Sequence, residues 1–363
     1  MKAFYQPSVV AEMAARLAAN HPALPVDRLV AEVVADFPAL ELLGRARRIA
    51  QGLRDHLPPS FPDALEILLA SMGPEDAQGG MDGMSGFRHL PFLNFVGLYG
   101  LEHPDLALDA LERMTCHFSA EFDIRPFILT HPDITIPRLR QWAHHPDWRV
   151  RRVASEGSRP RLPWGVRLKP FVLDPTAGLE IIEPLRGDPH PVVRRSVANH
   201  LNDVAKDHPE RVVACLGRWL QEPNPHARWI AGHALRTLIK QGHPQALALM
   251  GFGGLQAPRC LSFRVEPERI VLGEDVTLAV ELRCLEDAKL SIDYALYHRR
   301  LKGSLARKVF KWTVREVRAG QVLRLEKRHP MRRITTRKYY PGMHRLELLV
   351  NGVAVGEGGF ELT

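Results

Sequence analysis

The sequence predicts a mainly α-helical protein in two parts, a helical solenoid followed by a small all-β sandwich. Three observations predict it. Apolar residues recur at helical spacing through residues 8–250, a Pro-containing, Arg-rich segment recurs three times within that stretch, and the pattern changes to short alternating runs after residue 256. At 363 residues the chain is too long for one ordinary domain. Two are expected, at 1–256 and 257–363.

In the helical part, Val9, Val10, Met13, Ala14 and Leu17 share one helix face, as do Leu65, Leu68 and Leu69. Short breaks at His21-Pro22, Pro58-Pro59, His103-Pro104 and His131-Pro132 separate the helices. The segments HPDWRVRR from residue 145, DPHPVVRR from 188 and EPNPHARW from 222 resemble one another, with starts 43 and 34 residues apart. A turn, a helix opening on Pro or polar residues, and an apolar face flanked by Arg have the spacing of HEAT-like repeats. Such repeats stack into a solenoid with a concave face. An irregular helical bundle is the alternative.

After the glycine-rich break at 251–254, residues 269–282 read as a turn and a strand, and 290–297, 308–317 and 344–350 as further strands, the last ending at the turn Asn351-Gly352. Several short strands over roughly 100 residues argue for an immunoglobulin-like sandwich.

The net charge is +8, and residues 257–363 hold all of the excess, with 21 Lys/Arg against 13 Asp/Glu. A basic tail of this kind suits a polyanion, or serves only solubility. The apolar runs are too short for a membrane span, and the first ten residues lack the pattern of a signal peptide. Four dispersed cysteines form no CxxC pair, which fits a reducing cytoplasm. Dinucleotide, P-loop, HExxH and deaminase motifs are absent. The glycine-rich stretch 79–86 lacks the Lys-Ser/Thr of a phosphate loop and reads as a mobile loop.

Arg149, Arg151 and Arg152, then Arg194 and Arg195, open two related helices. In register, such arginines can follow a phosphate backbone or bridge neighbouring repeats through carboxylates. Glu156 and Asp203 lie in the last turns of the same helices, where a carboxylate opposes the helix dipole. Two such cases beside an Arg row suggest a purpose beyond stability, with solvated ends or ion pairs as the alternative. Glu121 and Asp123 sit with Arg125 in an apolar framework, where Asp123 can pair with Arg125 or cap a helix. Trp164 follows two Arg-Pro/Leu-Pro steps on a stiff loop, placed either to stack on a sugar or base or to pack inside.

The segments EFDIRPF at 121–127, RRVASEGSRPRLPWG at 151–165 and VRRSVANHLNDVAKDHP at 193–209 resemble the AlkC branch of the AlkC/AlkD DNA alkylation-repair glycosylases. The similarity covers about residues 1–250, and the basic β-domain resembles the appendage of one subset of that branch. The resemblance implies a monofunctional glycosylase for cationic bases such as 3-methyladenine and 3-methylcytosine in double-stranded DNA, acting without deep base flipping. It implies Glu121, Glu156 and Asp203 as catalytic carboxylates and Trp164 as the aromatic contact, with Asp123 a weaker candidate. Neither metal nor cofactor is then needed, because a cationic base leaves unprotonated. Expected DNA contacts are Arg149, Arg152, Arg159, Arg161, Arg194 and Arg195 in the solenoid. Arg299, Arg300, Lys302, Arg332 and Arg333 are expected to grip the duplex from the β-domain, so that a monomer clamps it. The competing functions are a non-catalytic HEAT-repeat damage sensor and a protein-interaction scaffold.

Overall fold

The computed structural model describes residues 4–73, 85–253, 256–334 and 337–363. Residues 79–84 of the glycine-rich stretch, and Gly254, lie outside them. Sixteen α-helices run from Pro7–Asn20 to Pro244–Leu249 among the described residues, and eight strands follow. This is the predicted order, a helical solenoid and then an all-β sandwich. The chain divides into two compact units, Met1–His208 with Pro223–Ile230, and Pro209–Glu222 with Ala231–Thr363.

In the first unit, helices Pro104–Met114, Pro132–Trp142 and Pro191–Val204 each open on proline. Its fixed φ suits the first helical position and its missing N–H forfeits no helical bond there. The three related turns share one device. Asp147 accepts the backbone N–H of Arg149 at 2.7 Å, Asp188 that of His190 at 2.8 Å, and Asn224 that of His226 at 2.9 Å. A side-chain carbonyl bonding two residues ahead holds each chain reversal and aims the helix that follows.

Helix Trp148–Gly157 packs between Pro132–Trp142 and Pro191–Val204. Val150, Val153 and Ala154 are buried on the one helix, and Val193, Val197, Ala198 and Leu201 on the other. Polar bonds add register. Arg151 bridges to the buried Asp188 of the next repeat at 2.6 Å and donates to the carbonyls of His145 and Pro146. Arg194 repeats the second half of that pattern, donating to the carbonyls of Asp188 and Pro189.

The second unit carries β1 (Arg259–Glu266), β2 (Arg269–Ile270), β3 (Asp275–Arg283), β4 (Ala288–Arg299), β5 (Leu305–Val317), β6 (Val322–Pro330), β7 (Gly342–Val350) and β8 (Val353–Leu362). They form a three-stranded sheet, β1-β3-β6, and a five-stranded sheet, β2-β8-β7-β4-β5. Val276, Leu278, Tyr294, Leu296, Leu346 and Phe360 make one core cluster. The four expected strands are β3, β4, β5 and β7. The pattern did not show β1, β6 and β8, because β6 is charged along its exposed face and β8 is rich in glycine. Those glycines have a packing reason: a Cβ on Gly358 would lie 2.8 Å from Val265, and one on Gly356 3.2 Å from Phe263. The turn Asn351-Gly352 has positive φ at both residues, 49° and 81°, as a tight β-hairpin requires.

No helix among the described residues is long and apolar enough to cross a membrane. The four cysteines form no disulfide, and no His/Cys/Asp/Glu group among the described residues could hold a metal ion.

Candidate active site

Three pieces of the first unit build the site: the turn at 119–123, the end of helix Trp148–Gly157 with the loop at 158–168, and the end of helix Pro191–Val204. The loop is pinned from below by Arg125. This guanidinium is fully buried and donates to the carbonyls of Gly157 and Val166, each at 2.6 Å. Burial, together with the nearby charge of Arg159, pulls its pKa down to about 10, so it stays charged at neutral pH. Arg125 thus closes the loop from both ends instead of pairing with Asp123.

Trp164 rides on that loop with a φ of 67°, and 65% of its surface is exposed. A left-handed backbone is uncommon for a bulky L-residue and persists only where the surroundings impose it. Of the two placements open to Trp164 from sequence, the structure takes the exposed one, which leaves the indole face free to stack on a ligand.

Two arginines pair with the three carboxylates. Arg152 reaches Glu121 at 2.7 Å, and Ser119 links the same pair by bonding both. Arg159 bridges Glu156 at 2.5 Å and Asp203 at 2.9 Å, although Arg159 and Asp203 are 44 positions apart in sequence. Ser196 donates to the other oxygen of Glu156 at 2.6 Å, and Lys206 to Asp203 at 2.9 Å. Glu156 and Asp203 are 7% and 3% exposed. Burial pushes the Glu156 carboxyl up, but Arg152, Arg159 and the Ser196 hydroxyl outweigh it and hold the group below the usual carboxylate range. Glu156 is therefore ionised at neutral pH despite burial at a helix C-terminus. The ion-pair alternative holds for both helix-end carboxylates, but here it assembles a cluster.

Asp123 behaves differently. It precedes helix Ile124–Thr130 without a side-chain capping bond. One carboxylate oxygen accepts from Asn94 at 2.9 Å, and the other has no partner among the described residues. Burial, with the charge of Glu121 adding, raises its pKa to about 7 against the bond from Asn94. A folded-state pKa above the unfolded one means stability is complete in acid and falls as pH rises towards about 7. Asp123→Asn keeps the shape and removes the charge. Its melting temperature relative to wild type is therefore expected to be higher at pH 8 than at pH 5; an equal difference at both pH values would refute the buried ionisation.

The remaining solenoid arginines are distributed as follows. Arg149 pairs with Asp147 on its own helix and also bonds the carbonyl of Cys116. Arg161 pairs with Asp207 at 2.7 Å. Arg194 holds its own turn, as above, and Arg195 is exposed. In the β-domain, Arg299, Arg300 and Lys302 are exposed at the β4–β5 connection, and Arg332 and Arg333 are exposed after β6. Sequence reasoning did not single out Ser119, Ser196 or Asn94, and it offered Arg125 only as a partner for Asp123. Each of the four takes a partner from a segment distant in sequence.

Residues 259–363 match the family model described as "Uncharacterised protein YhaZ, C-terminal Ig-like domain". Over 353 residues, 97% of this chain and 96% of the relative, the chain is 35% identical to the protein named "Uncharacterized protein YhaZ" of Bacillus subtilis (strain 168). Among solved structures it is similar to the Pseudomonas fluorescens alkylpurine DNA glycosylase AlkC bound to DNA containing an abasic site analog. That match has a TM-score of 0.91 at 36% identity and covers 100% of this chain and 99% of that one. With solenoid and sandwich both matched end to end, the chain belongs to the AlkC-type DNA alkylation-repair glycosylase family, in the subset with a C-terminal immunoglobulin-like domain.

Proposed function

We propose that the protein is a monofunctional DNA glycosylase that hydrolyses the N-glycosidic bond of cationic N-alkylated bases, 3-methyladenine and 3-methylcytosine, in duplex DNA. The observation that carries the reading is the pair of ion-paired groups Glu121–Arg152 and Glu156–Arg159–Asp203, with the charge of Arg152 also acting on Glu156 and the exposed Trp164 on the same loop as Arg159.

The chemistry follows from charge. An alkylated base is already cationic, so it departs without an acid to protonate it. The sugar gains positive charge at C1′ as the bond breaks, and carboxylates held in place stabilise that charge without reorganising. A carboxylate of the cluster also orients the attacking water as general base. The two arginines keep Glu156 ionised and offset the repulsion between three acids and a phosphate backbone. Trp164 lies against the deoxyribose and keeps bulk water off it. A neutral base is a poor leaving group, so selectivity resides in the lesion and no deep pocket is required.

The test is release of free base from methylated duplex DNA, measured by mass spectrometry in the presence of a chelator. Release of 3-methyladenine is expected. Salt-dependent binding with no release would support a damage sensor and remove the catalytic roles.

The exposed basic residues of the β-domain supply phosphate contacts in this reading. Replacing Arg299, Arg300 and Lys302 by Ala together is expected to weaken DNA binding. It should also flatten the dependence of log K on log salt by about 0.9 for each phosphate no longer neutralised. An unchanged slope would exclude this loop from the interface.

A further inference from the structure

Beyond Glu121, the same turn places Asp123 in the wall of a cleft of about 190 Å³. Leu43, Asn94, Phe122 and Trp164 line it as well, with the exposed Arg47. Asp123 itself is only 6% exposed, and one of its carboxylate oxygens has no hydrogen-bond partner among the described residues. A buried acceptor without a donor is unfavourable, and its persistence calls for an explanation. Its neighbour is adapted to it. At Gly97 a Cβ would stand 2.9 Å from the Asp123 carboxylate, so the helix forgoes a side chain where the acid sits. The loop that brings Trp164 to the cleft also carries Arg159 of the charge cluster.

We propose that this cleft receives the base after it has left the sugar. The ligand class is an alkylated nucleobase with an exocyclic amino group, its N–H edge on Asp123 and its ring against Phe122 and the Trp164 indole. The inference rests on the glycosylase reading above. A cleft with the aromatic side chains of Phe122 and Trp164 in its lining and a carboxyl with one unbonded oxygen suits a planar molecule that offers N–H donors. Adenine- and cytosine-type edges carry such an amino group, whereas the N3–H of 1-methylthymine lies between two carbonyl oxygens and so turns acceptors towards the carboxylate. Drawing the base away from C1′ stops it recombining with the sugar cation before water attacks, a role distinct from that of the three carboxylates around the breaking bond.

The experiment is ligand-observed saturation-transfer NMR on the full chain at pH 8, where Asp123 is ionised, with free 3-methyladenine as probe and 1-methylthymine as control. Wild type is expected to bind 3-methyladenine and to bind 1-methylthymine at least ten-fold more weakly. Asp123→Asn is expected to weaken 3-methyladenine binding at least ten-fold. Leu43→Trp, which narrows the cleft and leaves the carboxylate in place, should do the same, with melting curves confirming that both variants fold. Undiminished binding in both variants, or no binding by wild type, would overturn the proposal. Base release from methylated duplex is followed on the same wild-type sample. Release without free-base binding sinks the cleft and leaves the glycosylase reading standing; absence of release sinks that reading, and the cleft's role with it.

Discussion

Glu156→Gln and Asp203→Asn are each expected to slow base release from methylated duplex by about 10²–10³-fold while DNA binding persists. Both substitutions preserve shape and most hydrogen bonds. The one carbonyl oxygen of each amide can still accept from Arg159, and the amide NH2 introduced at position 156 can donate to the Ser196 hydroxyl, whereas the bond from Lys206 to position 203 is lost. What is removed is a negative charge, in a setting so buried that water cannot replace it. A loss confined to kcat would show that the charge acts on the transition state and not on docking. Equal loss of binding and turnover would point to a site that had simply rearranged. Retained turnover in both variants would remove these residues from the chemistry. The acid side of the profile adds a check. Glu156 is held below the usual carboxylate range by its arginines, so activity that depends on its ionised form should persist into mildly acidic solution.

Arg159→Ala is expected to have the second large effect, on stability and on the pH profile together. Arg159 is 7% exposed and serves two acids, Glu156 and Asp203. Removing one partner of a buried pair typically costs about 3–5 kcal/mol, since the remaining charge is left without compensation. In the wild type the depressed pKa of Glu156 contributes stability that is present above its unfolded value and is lost as pH falls through the folded value. Without Arg159, burial is opposed by Arg152 and Ser196 alone, so the pKa of Glu156 rises and that contribution shrinks. The variant should unfold at lower temperature than wild type at pH 7.5, by a smaller margin at pH 4.5, and its acid limb of base release should move to higher pH. Arg159→Lys should recover part of the stability. A point charge does not span two carboxylates as a planar fork does, so recovery should be incomplete. Wild-type melting and an unmoved acid limb in Arg159→Ala would show that the bridge has no role in holding Glu156 ionised.

Local rules made much of the fold legible. Proline at helix starts, the Asx turns at Asp147, Asp188 and Asn224, and the 3.6-residue apolar period are each complete within a few residues, so the chain displays them whole. The same holds for β3, β4, β5, β7 and the Asn351-Gly352 turn, where alternation and turn chemistry coincide. Strands β1 and β8 escaped because their residues answer to a facing sheet: Gly356 and Gly358 matter through the space they leave for Phe263 and Val265.

The candidate site divides along the same line. From sequence alone came the acids, the arginines and Trp164, each recognisable by type, position in a repeat, and resemblance to a family. Their pairing came only from tertiary structure. Arg152 finds Glu121 and Arg159 finds Asp203 because stacked helices bring distant turns together, and Asp123 turns to Asn94 on another helix while Arg125 holds the loop of Trp164. The physical reason is range. Backbone propensity and capping act over one turn of chain, whereas the partner of a buried charge is chosen by whichever surfaces the packing of apolar faces brings together.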